Sequence, residues 1–209
     1  MNYFVTGIGT NVGKTIVSAI LTEALQADYW KPIQSGTNEG SDSALVRSLI
    51  SNSQTVIHPE AYLLKEPLSP HFAAKLEGVE IDLEKIKLPV RLSGVEANDL
   101  LIEGAGGLLV PLNKTHYVID IAKQFDCEII LVISNYLGCI NHSLLSIDYL
   151  MRNNFKIHTL VFNGVFEKEV KDAIVDFSPN CNIVDIPTIS PVSKEEIAKA
   201  AQNIKSFFM

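Results

Sequence analysis

The chain has 209 residues, 47% of them hydrophobic, which supplies a real core and excludes disordered and disulfide-stapled chains. Seventeen Lys+Arg stand against 24 Asp+Glu, a formal net charge of −7. This argues against a general nucleic-acid or anionic-membrane binder, so an anionic ligand must be held by a local positive site.

Tyr3-Phe4-Val5-Thr6 opens the chain as a β-branched and aromatic run without the basic flank of a secretory leader. No run approaches the ~18 apolar residues of a membrane span, and a cytoplasmic protein is expected. The first run leads directly into Gly7-Ile8-Gly9-Thr10-Asn11-Val12-Gly13-Lys14-Thr15 and a helical pattern over Thr15 to Leu25. This reads as a phosphate loop: glycines turn backbone N–H groups toward phosphate oxygens, the helix N-terminus adds its dipole, Lys14 reaches the outer phosphates and the Thr15 hydroxyl suits Mg²⁺. Gly7 and Gly13 enclose five residues, one more than the usual phosphate-loop spacing. A dinucleotide fingerprint is disfavoured because its third glycine is Val12 here.

Tyr29-Trp30-Lys31 reads as a second strand stopped by Pro32. Lys31 is either a solvent-facing lysine or a group carried to the sheet edge that holds the phosphate loop. Asp42 precedes the helical pattern of Ser43 to Ile50 and reads by itself as an N-cap. Asn52 to Asn98 is broken by prolines and reads as an irregular excursion over the strand ends. Leu100-Leu101-Ile102 follows as a buried strand delivering Glu103 at its C-terminal end, before Gly104-Ala105-Gly106-Gly107. Glu103 is placed as a Mg²⁺-binding acid is, or it is a solvated acid in a glycine turn.

Helical spacing returns over Tyr117 to Phe125, Ser143 to Met151, Val170 to Phe177 and Ile197 to Phe207, alternating with apolar runs at Ile129 to Ile133 and Leu160 to Phe162. Consecutive apolar positions suit strands buried on both faces, so the expected fold is α/β: one P-loop NTPase-like domain over 1–209, a parallel sheet with helices on both faces. The three cysteines, Cys127, Cys139 and Cys181, lack metal-type spacing. The five histidines show no ligand spacing, and no nucleophile elbow occurs.

Taken together, Tyr3 to Gly7, Val12 to Thr15, Lys31-Pro32, Ser35-Gly36, Ser69-Pro70-His71, Glu103 to Gly107 and Leu137-Gly138-Cys139-Ile140-Asn141-His142 resemble the dethiobiotin synthetase family over nearly the whole chain. The resemblance implies a homodimeric, Mg²⁺- and ATP-dependent ligase that closes 7,8-diaminopelargonic acid and CO₂ or bicarbonate into the cyclic urea dethiobiotin. It implies phosphate and Mg²⁺ binding by Lys14 and Thr15, with Asp42 and Glu103 completing the metal site. Asn11, Val12, Gly13, Ile16 and Gly104-Ala105-Gly106 would lie against the nucleotide, and Asn163, Pro187, Thr188 and Ile189 would contact adenine. Lys31 would stabilise the carbamate and the phosphate transferred to it, while Thr10 and Ser35 would hydrogen-bond the amine or carbamate. Gly138, Cys139, Ile140 and Asn141 would bind the substrate carboxylate from the partner subunit; read without the family, the same block is a helix start with Asn141 as N-cap and Cys139 buried. Other members often carry acids where this loop has Gly9 and Asn11.

Three further classes compete. A partitioning or scaffold ATPase often carries an extra lysine early in its loop, where Gly9 stands. A glutamine-dependent amidotransferase needs a glutaminase domain for which 209 residues leave no room. A dinucleotide oxidoreductase conflicts with Lys14-Thr15.

Overall fold

Parallel strands alternate with helices along most of the chain in the computed structural model, which describes residues 1–37, 40–89 and 98–208. The strands are β1 (Asn2–Gly7), β2 (Asp28–Trp30), β3 (Ile33–Ser35), β4 (Ile57–His58), β5 (Tyr62–Leu64), β6 (Leu100–Gly107), β7 (Glu128–Ser134), β8 (Ile157–Asn163) and β9 (Asn182–Ile186). The helices are α1 (Lys14–Leu25), α2 (Asp42–Leu49), α3 (Pro70–Leu76), α4 (Asp120–Gln124), α5 (Cys139–Arg152), α6 (Lys168–Val175) and α7 (Lys194–Ile204).

Seven strands form one sheet in the order β4-β2-β6-β1-β7-β8-β9, and all its pairings are parallel. Helices α1, α2 and α7 pack together, and α5 packs with α6, giving a three-layer α/β sandwich of the expected class. The central strands are buried on both faces: Phe4, Val5, Ile102, Ile130 to Ile133 and Leu160 to Phe162 are all fully covered. Their side chains have apolar neighbours above and below the sheet, which is why they read as continuous apolar runs. Because β1 sits between β6 and β7, the loop leaving its C-terminal end opens at the middle of the sheet.

Several elements differ from the expected boundaries. The excursion from 52 to 98 is not irregular throughout. It holds β4, which extends the main sheet beside β2, β5, which pairs with β3 in a separate two-stranded ribbon, and α3, with Pro70 in its first turn; residues 90–97 lie outside the description. Strand β9 escapes a search for continuous apolar runs because it is an edge strand with alternating burial, Val184 and Ile186 inward and Asp185 outward to Lys171. The helix expected over Tyr117 to Phe125 is confined to α4, because Tyr117 instead bridges to Pro111. Helix α5 starts four residues earlier than Ser143: Gly138, at φ 107°, occupies the cap position assigned to Asn141. Cys139 is buried as the plain helix reading had it. All three cysteines are free, and burial pushes the Cys127 thiol up to about 12. No described helix is long and apolar enough to cross a membrane.

Candidate active site

The loop between β1 and α1 is shaped by its backbone. Asn11 takes a left-handed φ of 59° and Gly13 one of 90°. A Cβ on Gly13 would also fall 2.1 Å from the Asn163 amide nitrogen, so a side chain there is refused twice, by conformation and by space. Helix α1 starts at Lys14 without a side-chain cap, which leaves its first N–H groups free for an anion. Lys14 is buried and folds back over the loop, its Nζ donating to the Gly9 carbonyl at 3.1 Å. Burial lowers its pKa to about 8, against the attraction of Glu103.

Glu103 was expected at a strand end or in a glycine turn. It lies instead in the middle of β6, opposite Val5 of β1, and is 1% exposed. The strand continues through the glycines, and Gly107 pairs with Gly7; Gly104 leaves room for the Phe4 ring, and Gly106 takes a left-handed φ of 72°. The buried carboxylate accepts three hydrogen bonds: from Lys31 Nζ at 2.9 Å and Thr15 Oγ1 at 3.0 Å, both on Oε1, and from the Tyr29 hydroxyl at 3.0 Å on Oε2. Burial and then the negative charge of Glu103 push the Tyr29 phenol well above its ordinary pKa, so it stays protonated and donates to Glu103.

Lys31 is buried one residue beyond β2, where its ammonium bridges Glu103 and Asp42. Desolvation would drive a proton off this lysine, but the two carboxylates outweigh it and its pKa is raised. The N-cap of α2 is Ser41, whose Oγ accepts from the Ala44 N–H at 3.2 Å. Asp42 is therefore not the cap, and its carboxylate turns to Lys31. Gln34 secures that turn, accepting the Asp42 N–H at 3.1 Å and donating to the carbonyls of Ser35 and Gly36 at 3.0 and 3.1 Å.

These groups line a cleft of about 790 Å³. Thr10, Asn11, Gly13, Lys14, Thr15, Ile16, Lys31, Ser35, Asp42, Glu103, Ala105 and Gly106 come together in it, with Pro67 to Pro70 of the excursion forming the opposite wall. The Ser35 hydroxyl is buried without a hydrogen-bond partner, as a group awaiting a ligand would be. Val12 and Gly104 lie behind the lining: Val12 is buried, and Gly104 abuts the Phe4 ring. Among the described residues no three His, Cys, Asp or Glu side chains cluster as metal ligands. The donor set is two carboxylates and the Thr15 hydroxyl, hard oxygens of the kind Mg²⁺ takes together with phosphate oxygens and water, so the residues fit that ion.

Other expected residues lie outside the cleft. Asn163 sits beneath the phosphate loop, its Nδ2 donating to the Val12 carbonyl at 2.9 Å. Pro187, Thr188 and Ile189 follow β9 on the same edge of the sheet, with the Thr188 hydroxyl near Gly164. Gly138 to Asn141 open α5 apart from the cleft lining. Between this block and the phosphate loop lies a second depression, floored by Gly9, Thr10 and Asn11 and flanked by Tyr136 and His142, whose side chains are hydrogen-bonded at 2.7 Å. Tyr29 and Gln34 were not anticipated, whereas the wall at Pro67 to Pro70 belongs to the excursion expected over the strand ends. Tyr29 was within reach of the sequence, because it stands two residues before Lys31 and side chains two apart on a strand share a face.

Residues 1–196 match the family described as AAA domain. The ATP-dependent dethiobiotin synthetase BioD of Cytophaga hutchinsonii is 48% identical over 95% of this chain and 94% of its own length. That of Lawsonia intracellularis is 39% identical over the full length of both. Among solved structures, the septum site-determining protein MinD of Pyrococcus horikoshii, complexed with Mg-ADP, aligns with a TM-score of 0.57 at 18% identity, covering 99% of this chain and 90% of that one. A putative plasmid partition protein from Borrelia burgdorferi, bound to AMPPNP, aligns at 0.56 and 11% identity over 99% and 97%. These two likenesses are of fold, that of P-loop NTPases. Identity of 48% and 39% across the chain is a likeness of a different order, and it establishes that the chain belongs to the dethiobiotin synthetase family.

Proposed function

We propose that this protein uses ATP and Mg²⁺ to carboxylate 7,8-diaminopelargonic acid with CO₂ and close the product into the ureido ring of dethiobiotin. The observation that carries the reading is the buried Lys31, poised between Asp42 and Glu103 beside Lys14 and facing a cleft with an unpartnered Ser35 hydroxyl. A lysine kept charged in a dry site stabilises developing negative charge, which every step of this reaction builds.

An unprotonated amine of the substrate adds its lone pair to CO₂ and loses a proton, giving a carbamate. Lys31, Thr10 and Ser35 hold that anion. A carbamate oxygen then attacks the γ-phosphorus, ADP departs, and a carbamic-phosphoric anhydride forms. Lys14 and the N–H groups at the start of α1 follow the phosphate charge through this transfer. The second amine attacks the anhydride carbonyl, phosphate leaves with the C–O bonding pair, and the amine's proton is lost as the ring closes. Thr15, Asp42 and Glu103 would hold Mg²⁺, which when bound neutralises phosphate charge. Positioning and charge stabilisation suffice, so the chain supplies no covalent nucleophile.

Asn163 and the Pro187-Thr188-Ile189 segment are assigned to adenine, at the end of the sheet beyond the phosphate loop. Gly138 to Asn141 are assigned to the substrate carboxylate of the partner's site in a homodimer. The uncapped start of α5 supports this, because its first N–H groups are uncommitted to any side chain. The test is ADP release by purified protein with Mg²⁺, ATP and bicarbonate, with and without the diamine. Release that requires the diamine and yields dethiobiotin is the expected result. Release independent of the diamine would replace this reading with an ATPase switch.

A further inference from the structure

Glu103 has two oxygens with different surroundings. Oε1 faces the cleft side, shared by Thr15 and Lys31, while Oε2 is turned back into the sheet and met by the Tyr29 hydroxyl at 3.0 Å. The arrangement follows from strand register. Tyr29 lies opposite Leu101 in the β2–β6 pairing, so residues two further along each chain, Lys31 and Glu103, emerge on the same face of the sheet. Tyr29 is fully buried, behind Lys31 rather than in the cleft lining.

We propose that Tyr29 is a positioning residue for phosphoryl transfer: its hydroxyl anchors Glu103 Oε2 so that the carboxylate presents one fixed oxygen, Oε1, to Thr15, Lys31 and the bound metal nucleotide. Without the anchor only the bonds to Oε1 from Thr15 and Lys31 hold the carboxylate about its terminal torsion, a soft and roughly two-fold one. Its hold on Oε1 partners then becomes one orientation among several. Groups standing directly behind metal-binding carboxylates set affinity by such orientation, and their loss costs about 10- to 100-fold. The inference rests on the metal role given to Glu103 above.

The test measures free Mn²⁺ by electron paramagnetic resonance while it is titrated into protein with ADP, comparing wild type, Tyr29→Phe, Glu103→Gln and the double variant. Tyr29→Phe keeps the ring, and its affinity for Mn²⁺ with ADP should fall about tenfold. In turnover, kcat should fall while the KM for the diamine holds, a split that loss of ring packing would not give. The double variant should bind as Glu103→Gln does, because Tyr29 acts only through Glu103. It also lacks the buried carboxylate oxygen, Oε2, that Tyr29→Phe leaves without a hydrogen bond, so it decides the matter if that variant cannot be purified: a further tenfold loss in it overturns the proposal. Weakened Glu103→Gln beside an unaffected Tyr29→Phe overturns the positioning role alone. Unweakened Glu103→Gln overturns the metal assignment and the positioning role with it.

Discussion

Replacing Lys14 by methionine should stabilise the nucleotide-free protein while destroying its hold on ATP. Lys14 is 7% exposed, and burial takes its pKa from 10.5 to about 8. At about 1.4 kcal/mol per pH unit, that fall holds roughly 3 kcal/mol against the protonated side chain. Methionine also gives up the bond to the Gly9 carbonyl, worth about 1 kcal/mol, which leaves about 2 kcal/mol in favour of the variant. The folded pKa lies below the unfolded one, so between about 8 and 10.5 the unfolded chain binds the extra proton. Wild-type stability therefore rises with pH across that window, and below it the penalty is complete. At pH 7 the variant should melt about 4 to 8 °C above wild type for a chain of this length, and the gap should narrow as the pH rises from about 8 toward 10. Scanning calorimetry of both proteins at neutral and alkaline pH measures it. Phosphate supplies the anion that the ammonium lacks, so wild type should take up protons on binding ATP near pH 8, seen as a buffer-dependent heat absent from the variant. A Lys14→Met protein that melts below wild type at neutral pH, or a gap that ignores pH, would refute the reasoning.

Asp42→Asn should raise the Mg²⁺ concentration needed for turnover; because Ser41 caps α2, any fall in melting temperature comes from the lost ion pair to the buried Lys31 and not from a lost cap, and an unaltered Mg²⁺ titration counts against a metal role for Asp42. Lys31→Met should lower kcat more than it raises the KM for ATP, as loss of an interaction strongest in the transition state does; normal kcat with only a raised KM contradicts that role. Gly13→Ala should cost about 2 to 3 kcal/mol through its positive φ and its collision with Asn163. Denaturant unfolding measures that cost, and Asn163→Ala in the same chain should recover part of it; a neutral Gly13→Ala would mean that the loop does not have this shape.

The sheet core and the phosphate loop were legible because their physics is local. Strands covered on both faces spell themselves as unbroken apolar runs, and a strand running into a Gly-rich turn and a helix leaves few alternatives to anion binding. Edge elements were not legible for the opposite reason. Strand β9 has one wet face, and β4 is two residues long, so neither writes a continuous pattern. The acids divided in the same way. Asp42 alone looks like a cap, and only the contact between Ser41 and Ala44 removes that option. Glu103 looked like the end of a strand because glycines follow it, yet β6 runs on through them, with Gly104 packed against the Phe4 ring and Gly107 still paired with Gly7. Gln34 gave no signal, since its work is to tie Asp42 to the Ser35-Gly36 turn across a chain reversal that sequence spacing does not encode.

The charges on the cleft floor cancel in pairs: Lys14 and Lys31 stand against Asp42 and Glu103, in a chain whose formal charge is −7. A cleft of that kind is no general trap for anions. Phosphate oxygens entering alone would meet the two acids at close range, one of them, Glu103, too deeply buried for water to screen it. Lys31 cannot answer that charge, because both acids already hold its ammonium. It serves a carbamate only when that hold relaxes, which requires another cation on the acids. The two assignments made to this cleft, a metal nucleotide on Thr15, Asp42 and Glu103 and a carbamate on Lys31, are therefore not independent. Charge balance makes the first a condition of the second, and it gives Lys31 a reason to be buried between two acids rather than exposed at the cleft mouth.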